Sequence, residues 1–373
     1  MKKLTDVCNI IYGYAFDSKR FNTSKGIPVI RIRDVVRGYT ETFTDEEVSE
    51  EYYIENNDLL VGMDGEFNIG SWKGGHALLN QRVCKLVPGK SVSNRYLYHF
   101  MPHVLKEIEE NTSFVTVKHL SAKHLNSIEF PDISLLEQQK IAAHLDSIQS
   151  AIDNKKQQLQ QLDELVKSKF VEMFGDVKEQ VSIKEICDVS GGYSFKSGDI
   201  SENSGIRILQ IGNVALNDVS WEVTNYLPKD FEKKYESFLL KKDDIVMALT
   251  RPIIQSLGNV KTSLVKSTDL PCLLNQRVGK IRAKFGINIR FVYYCFMQHS
   301  FTDYVQSCCK GSSQPNMSTK DIENYEIPKV DINLQNTFAE YVQKIDSAKS
   351  IIKTQLNDLN ELLESKMDFY FGE

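Results

Sequence analysis

One long stretch of this chain occurs twice, and nothing else constrains its fold as tightly. Pro131 to Gly175 and Pro328 to Gly372 align without a gap. Gln138 matches Gln335, Ala142 matches Ala339, Leu159 and Leu162 match Leu356 and Leu359, and Phe174-Gly175 matches Phe371-Gly372. Between its opening proline and its closing glycine, neither copy contains another Pro or Gly. In the first copy apolar residues fall at Ile141, Leu145, Ile148, Ile152, Leu159, Leu162, Val166 and Met173, with Lys155 and Lys169 at the two skipped positions. The second copy repeats the pattern with Phe338, Val342, Ile345, Ile352, Leu356, Leu359, Leu363 and Tyr370. Steps of four and three describe a coiled-coil seam. Ser134 can cap the first helix, with Glu137 as the capping-box acid, and Gly175 is placed to end it. Such a helix is roughly 60 Å long, too long for an ordinary core to bury. Two of them can cover each other's apolar stripe. The copies are not identical: Ile152 answers to Lys349, and Lys155 to Ile352.

The repeat continues outside the helices. Gly13-Tyr14-Ala15-Phe16 is echoed by Gly192-Tyr193-Ser194-Phe195, and Gly26 to Val35 by Gly205 to Val214. Asp58 to Val61 pairs with Asp244 to Met247, and Leu78 to Val83 recurs as Leu273 to Val278. The β-branched runs predict strands. Arg95 to Tyr98 and Arg290 to Tyr293 each open an amphipathic helix. The expected fold is therefore α+β: two strand-rich heads, each followed by a long helix. The boundaries are 1–131 and 177–328 for the heads, 132–176 and 329–373 for the helices. A duplication of this length implies an internal pseudo-twofold. The helices then pair antiparallel, with a head at each end of the rod.

Hydrophobic content of 41% and charged content of 25% are those of a soluble globular protein. No stretch approaches the ~18 apolar residues needed to span a bilayer, and Met1 to Asp6 opens no signal peptide. Seven scattered cysteines without a C-x-x-C pair fit a reducing cytoplasm. Cys308-Cys309 is read as two half-buried thiols. The net charge of −5 does not announce a nucleic-acid binder, but the charge is uneven. From Ile245 to Lys320 there are ten Lys or Arg against two acids, and from Leu59 to Lys123 eight against five. Basic residues gathered in the heads are the footprint of phosphate contact.

These blocks resemble the specificity subunits of type I restriction-modification systems. Gly13 to Ser18 and Gly191 to Ser197 resemble the opening of a target-recognition domain. Pro131-Asp132-Ile133-Ser134-Leu135-Leu136-Glu137-Gln138-Gln139-Lys140-Ile141 is similar to the signature that starts the family's conserved helices, and Gly311 to Ser318 to the turn before it. The first copy departs from that turn with Ser113 to Ser121, and the second helix has Leu334-Gln335 for Glu-Gln. The resemblance implies a non-catalytic subunit that reads double-stranded DNA at two half-sites separated by a spacer, with the helices as ruler. It implies two modification subunits as partners, which carry S-adenosylmethionine and methylate adenine. Motor-nuclease subunits, working with ATP and Mg, would complete the restriction enzyme. No cofactor is expected on this chain.

Residues identical in both heads cannot tell one sequence from another. Asn80, Gln81 and Arg82, repeated as Asn275, Gln276 and Arg277, are therefore assigned to phosphate contact or to scaffold hydrogen bonds, the two arginines being the better phosphate candidates. The Gly-Tyr-x-Phe blocks are assigned to the core. Positions that differ should read bases. Asp64, Glu66 and Asn68 suit cytosine and adenine, whereas Arg251 and Gln255 suit guanine and adenine. Lys280, Gln314 and Asn316 complete the expected DNA-binding set. Ser168-Lys169 and Ser365-Lys366, with the exposed helix faces, are candidate docking points for two identical partners.

Signs of catalysis are few. There is no phosphate-cradling G-x-x-x-x-G-K-[ST] loop, no methyl-donor loop and no adenine clamp. His99 and His103 are spaced like metal ligands on a helix but lack a third ligand. The competing interpretation is an interaction protein with two ligand-binding heads on a coiled-coil rod and no nucleic acid. A self-sufficient nuclease or methyltransferase is the third, and the absent motifs argue against it.

Overall fold

The computed structural model describes residues 1–111, 118–254, 256, 258–309 and 315–372. The chain divides into two compact units, Met1–Gln157 with Lys353–Glu373, and Gln158–Ile352. Each unit contains one head and a segment of both long helices.

In the first head, four antiparallel strands form a sheet in the order Cys8–Tyr12, Val83–Pro88, Leu59–Gly62, Asn68–Ser71. The second head repeats this order with Cys187–Gly191, Val278–Ala283, Ile245–Ala248 and Thr262–Leu264. Their central strands, Leu-Leu-Val-Gly and Ile-Val-Met-Ala, are buried at every position. That is why they read as short continuous apolar runs and not as an alternation. A second sheet in each head contains one parallel pair, Ile27–Ile30 beside Ala77–Leu79 and Ile206–Leu209 beside Cys272–Leu274. The strands expected from Gly26 and Gly205 to the matching valines are shorter than the sequence suggests. Asp34–Arg37 turns helical, and Ile211–Asn213 forms a 3-10 turn. Asp34 accepts from the Arg31 amide at 2.9 Å and Asn213 from the Gln210 amide at 2.9 Å, so a side-chain turn competes with extension of the strand.

The long helices span Leu135–Phe174 and Ile332–Phe371. Ser134 Oγ accepts from the Glu137 amide at 3.2 Å, and Gly175 N–H donates to Val171 O at 2.8 Å, closing the two ends of the first. The second is capped by Asp331, whose Oδ1 takes the amides of Asn333 and Leu334 at 2.9 and 3.1 Å.

Within the second unit the helices run antiparallel. Phe338 packs on Phe170 and Phe174, while Lys349, farther along, reaches back to Asp163 with Nζ 2.5 Å from Oδ1. The first helix buries Ile141, Leu145, Ile148, Ile152 and Val166 as its periodicity requires. Its last turns differ from that pattern: Phe170 and Phe174 are buried, whereas Met173 is only partly covered. Spacings of four at Val166, Phe170 and Phe174 carry the stripe around the helix toward the head, where Phe174 meets Phe291. The same plug closes the first unit, where Phe371 packs edge-on against Tyr96 and Phe100. His144 and the Tyr370 hydroxyl join the helices there at 2.9 Å.

Two identical side chains anchor the helix starts. Gln138 and Gln335 are 1% and 4% exposed. Gln138 bonds the Ser93 amide and the Ser91 and Ile133 carbonyls. Gln335 bonds the Asn288 amide and the Val330 carbonyl. No helix among the described residues is long and apolar enough to cross a membrane.

Candidate nucleic-acid interface

Both heads carry the same backbone frame, built from four separated segments. In the first head Gly13 N–H bonds Val83 O at 3.0 Å, Tyr14 N–H bonds Leu79 O at 2.9 Å, and Gln81 N–H bonds Tyr14 O at 2.7 Å. Met63 N–H then bonds Arg82 O at 2.9 Å. A fourth segment joins through Gly65 N–H to Lys118 O at 3.0 Å and Leu120 N–H to Met63 O at 2.7 Å. The second head reproduces each bond. Gly192 goes to Val278, Tyr193 to Leu274 and Gln276 to Tyr193, at 3.0–3.1 Å. Leu249 goes to Arg277 at 3.0 Å, and Arg251 to Pro315 and Met317 to Leu249 at 2.8 Å.

This frame explains the repeated glycine. A Cβ on Gly13 would lie 2.0 Å from Asn80 O, and one on Gly192 would lie 2.2 Å from Asn275 O. The backbones are too close for any side chain there. Of the Gly-Tyr-x-Phe blocks assigned to the core, the phenylalanines are buried, but Tyr14 and Tyr193 are 40% and 38% exposed. Their rings rest on Phe16 and Tyr52, and on Phe195, Tyr235 and Phe238. Hydrogen bonding to Tyr235 pushes the Tyr193 hydroxyl above its ordinary pKa.

The frame also assigns matched positions to the candidate residues. Asp64 bridges to His119, and Thr250 bridges to Asn316. Gly65 and Arg251 both take positive φ, 74° and 47°. A side chain on Gly65 would meet nothing within 4 Å, and the second head uses that space for the exposed Arg251. Asp64, Arg82 and His119 come together on the first head. Asp64 Oδ1 lies 2.6 Å from His119 Nδ1, and Arg82 Nη1 lies 3.2 Å from Asp64 Oδ2. Arg277, at the place of Arg82, is exposed and makes no ion pair among the described residues. The charged surfaces therefore differ: Arg82 is held by a carboxylate in the first head, whereas Arg251 and Arg277 in the second have no ion pair among the described residues.

Several expected contacts sit elsewhere. Lys280 is only 7% exposed, at the centre of a sheet, and its Nζ donates to Ser237 O at 3.2 Å. Burial, reinforced by the nearby Arg282 charge, pushes its pKa below the ordinary lysine value. It supports the fold and presents no ammonium for a phosphate. Lys85 repeats the arrangement, donating to Tyr53 O at 2.8 Å. Asn80 is 9% exposed with Oδ1 buried, so its side chain is also withdrawn from the surface. Asn68 Oδ1 is buried as well, and its Nδ2 donates to Glu66 O at 3.3 Å. Glu66, Gln81 and Gln276 are exposed, and Asn275 is half-buried. Gln255 and Gln314 lie outside the described residues. On the helices, Ser168 and Ser365 are exposed. Lys169 pairs with Glu172 at 2.7 Å and faces Tyr341, and Lys366 faces Phe369.

His119 escaped the sequence reading because its partner is 55 residues away. The departure of Ser113 to Ser121 from the expected turn proved less deep than the letters suggest. Residues 118–121 keep the register of 315–318, and Ser121 and Ser318 both cap the helix that follows. His99 and His103 hold carboxylates, Asp146 at 2.7 Å and Glu107 at 3.3 Å. No cluster of three or more metal-ligating side chains occurs among the described residues.

Two heads on one frame, with unlike polar side chains at its matched positions, define a duplicated recognition protein. A family model described as "Type I restriction modification DNA specificity domain" matches residues 1–164 and 176–361. The chain is 28% identical to the EcoBI specificity subunit of Escherichia coli, with 97% of this chain and 83% of that one aligned. It is also 28% identical to the MjaVIII specificity subunit of Methanocaldococcus jannaschii, over 90% of this chain and 82% of that one. Its fold is that of the S subunit of a type I restriction-modification system from M. genitalium, with TM-score 0.57 and 15% identity over 98% of this chain and 94% of that chain. The chain belongs to the type I restriction-modification DNA specificity family. It is a sequence-specific DNA-recognition subunit, and catalysis resides in partner subunits.

Proposed function

We propose that each head reads one half of a bipartite, asymmetric duplex target, and that the paired helices set the spacer between the halves. One observation carries this reading: the same frame bears Asp64, Gly65 and His119 in one head and Thr250, Arg251 and Asn316 in the other. A shared frame suits a shared way of approaching the duplex. Unlike side chains at its matched positions suit unlike bases. Arg82, Arg277 and the exposed glutamines beside them would hold phosphates in both heads.

The reading extends to partners. Ser168-Lys169 and Ser365-Lys366 lie at equivalent places on the two helices, so two identical modification subunits would dock, one per half. Those subunits would bring S-adenosylmethionine, and motor-nuclease subunits ATP and Mg, to DNA in the cytoplasm.

Exchanging the two heads, or replacing one with a copy of the other, tests the division of labour. The half-sites, mapped by adenine methylation, should exchange or become palindromic, and an unchanged target refutes it. Weighing the purified assembly tests the docking, since a one-to-one complex contradicts it.

A further inference from the structure

We propose that His119 reads a base in the half-site served by the first head. The proposal rests on the one-head-per-half-site reading and deepens it. His119 stands on the frame where the second head carries Asn316, and its side chain is 47% exposed. The backbone holds it from both sides, through Lys118 O to Gly65 and Leu120 N–H to Met63. The ring is aimed as well as held. Asp64 Oδ1 lies 2.6 Å from Nδ1, and a carboxylate only accepts, so Nδ1 carries the proton. Arg82 Nη1 lies 3.2 and 3.3 Å from the two oxygens of the same carboxylate and holds it in place. In the neutral ring Nε2 is then a bare acceptor, and it has no partner among the described residues.

An acceptor on a fixed arm suits a base that offers an amino group in the major groove. Those are adenine through N6 and cytosine through N4, whereas guanine and thymine offer only acceptors there. The structure thus gives His119 a chemical preference: a position restricted to adenine or cytosine. Asn316, which both donates and accepts, suits adenine alone at the matched place.

The test uses the full chain purified with its modification subunits, and duplexes selected from a randomised pool. His119→Ala should relax one base position, in one half-site, by about tenfold or more in relative affinity. The slope of affinity against salt should stay the same, because a base contact, unlike a phosphate contact, displaces no counterions. His119→Asn carries the residue that the same frame accepts in the second head, so it guards against a folding defect. It should narrow that position toward adenine. An unchanged selected sequence for both variants overturns the proposal. So does an equal loss on all sequences with a shallower salt slope, which would make His119 a phosphate contact. Arg251→Ala serves as the control. If it relaxes the other half-site while the His119 variants relax none, this inference alone fails. If it relaxes the same half-site as His119→Ala, the one-head-per-half-site reading fails.

Discussion

Gln335 Oε1 accepts the backbone N–H of Asn288 at 2.9 Å, and Gln138 Oε1 accepts that of Ser93 at the same distance in the other head. Each amide stitches the first turn of a long helix to the loop before a helix of its head. Gln335→Leu keeps the bulk and removes both bonds. The part-buried Asn288 amide and Val330 carbonyl are left without it, at a cost of about 1–3 kcal/mol. Denaturant unfolding should show that loss, with Gln138→Leu costing at least as much because Gln138 makes three bonds.

Neighbouring glycines should behave as opposites. Gly192→Ala would drive a methyl group into Asn275 O and should abolish stable folding or sequence-specific binding. Gly191→Ala meets only Thr319 Cγ2 at 3.9 Å and should be tolerated within about 1 kcal/mol. Circular dichroism melts of the two variants separate a backbone clash from a general intolerance of substitution in this segment.

His99 gives the first head a pH dependence. Its side chain is 8% exposed, and Nε2 lies 2.7 Å from Asp146 Oδ1, with Arg95 on the same carboxylate. Burial lowers its pKa, helped by Arg95 and opposed by Asp146. The folded chain therefore binds fewer protons here than the unfolded chain, whose histidine titrates near ~6.5. The stability contribution is complete above that value and declines as pH falls toward the folded pKa. Unfolding midpoints measured between about pH 5 and 7.5 should fall on the acid side, and His99→Gln should flatten that slope.

Positioning and readout should separate in binding. Arg277→Ala should weaken association with all duplexes and reduce the salt slope by about one. Arg251→Ala should relax a base position and cost about 1–3 kcal/mol on the preferred site. Equal, sequence-independent losses would contradict that division.

The duplication could be read from letters alone, because Leu78 to Val83 and the helix seams repeat at fixed spacing. The recurrence of strands in both heads followed from the same matches. Roles that depend on distant pairing did not. Lys280 looked like surface charge, yet its strand lies between two others and the ammonium meets Ser237 O. Tyr14 and Tyr193 looked like core residues because an aromatic two positions away, Phe16 or Phe195, is buried. His119 needed the pairing of residues 63–65 with 118–120, which no local pattern announces.

Phe371 completes the aromatic packing around Tyr96 and Phe100, so the first head borrows part of its interior from the last turn of the second long helix. Synthesis therefore delivers that head's strands long before the aromatic stopper that closes them. The earlier-made head has to wait, incomplete, until the other head has been made, and a chain cut short inside the second long helix would injure a domain some 270 residues upstream.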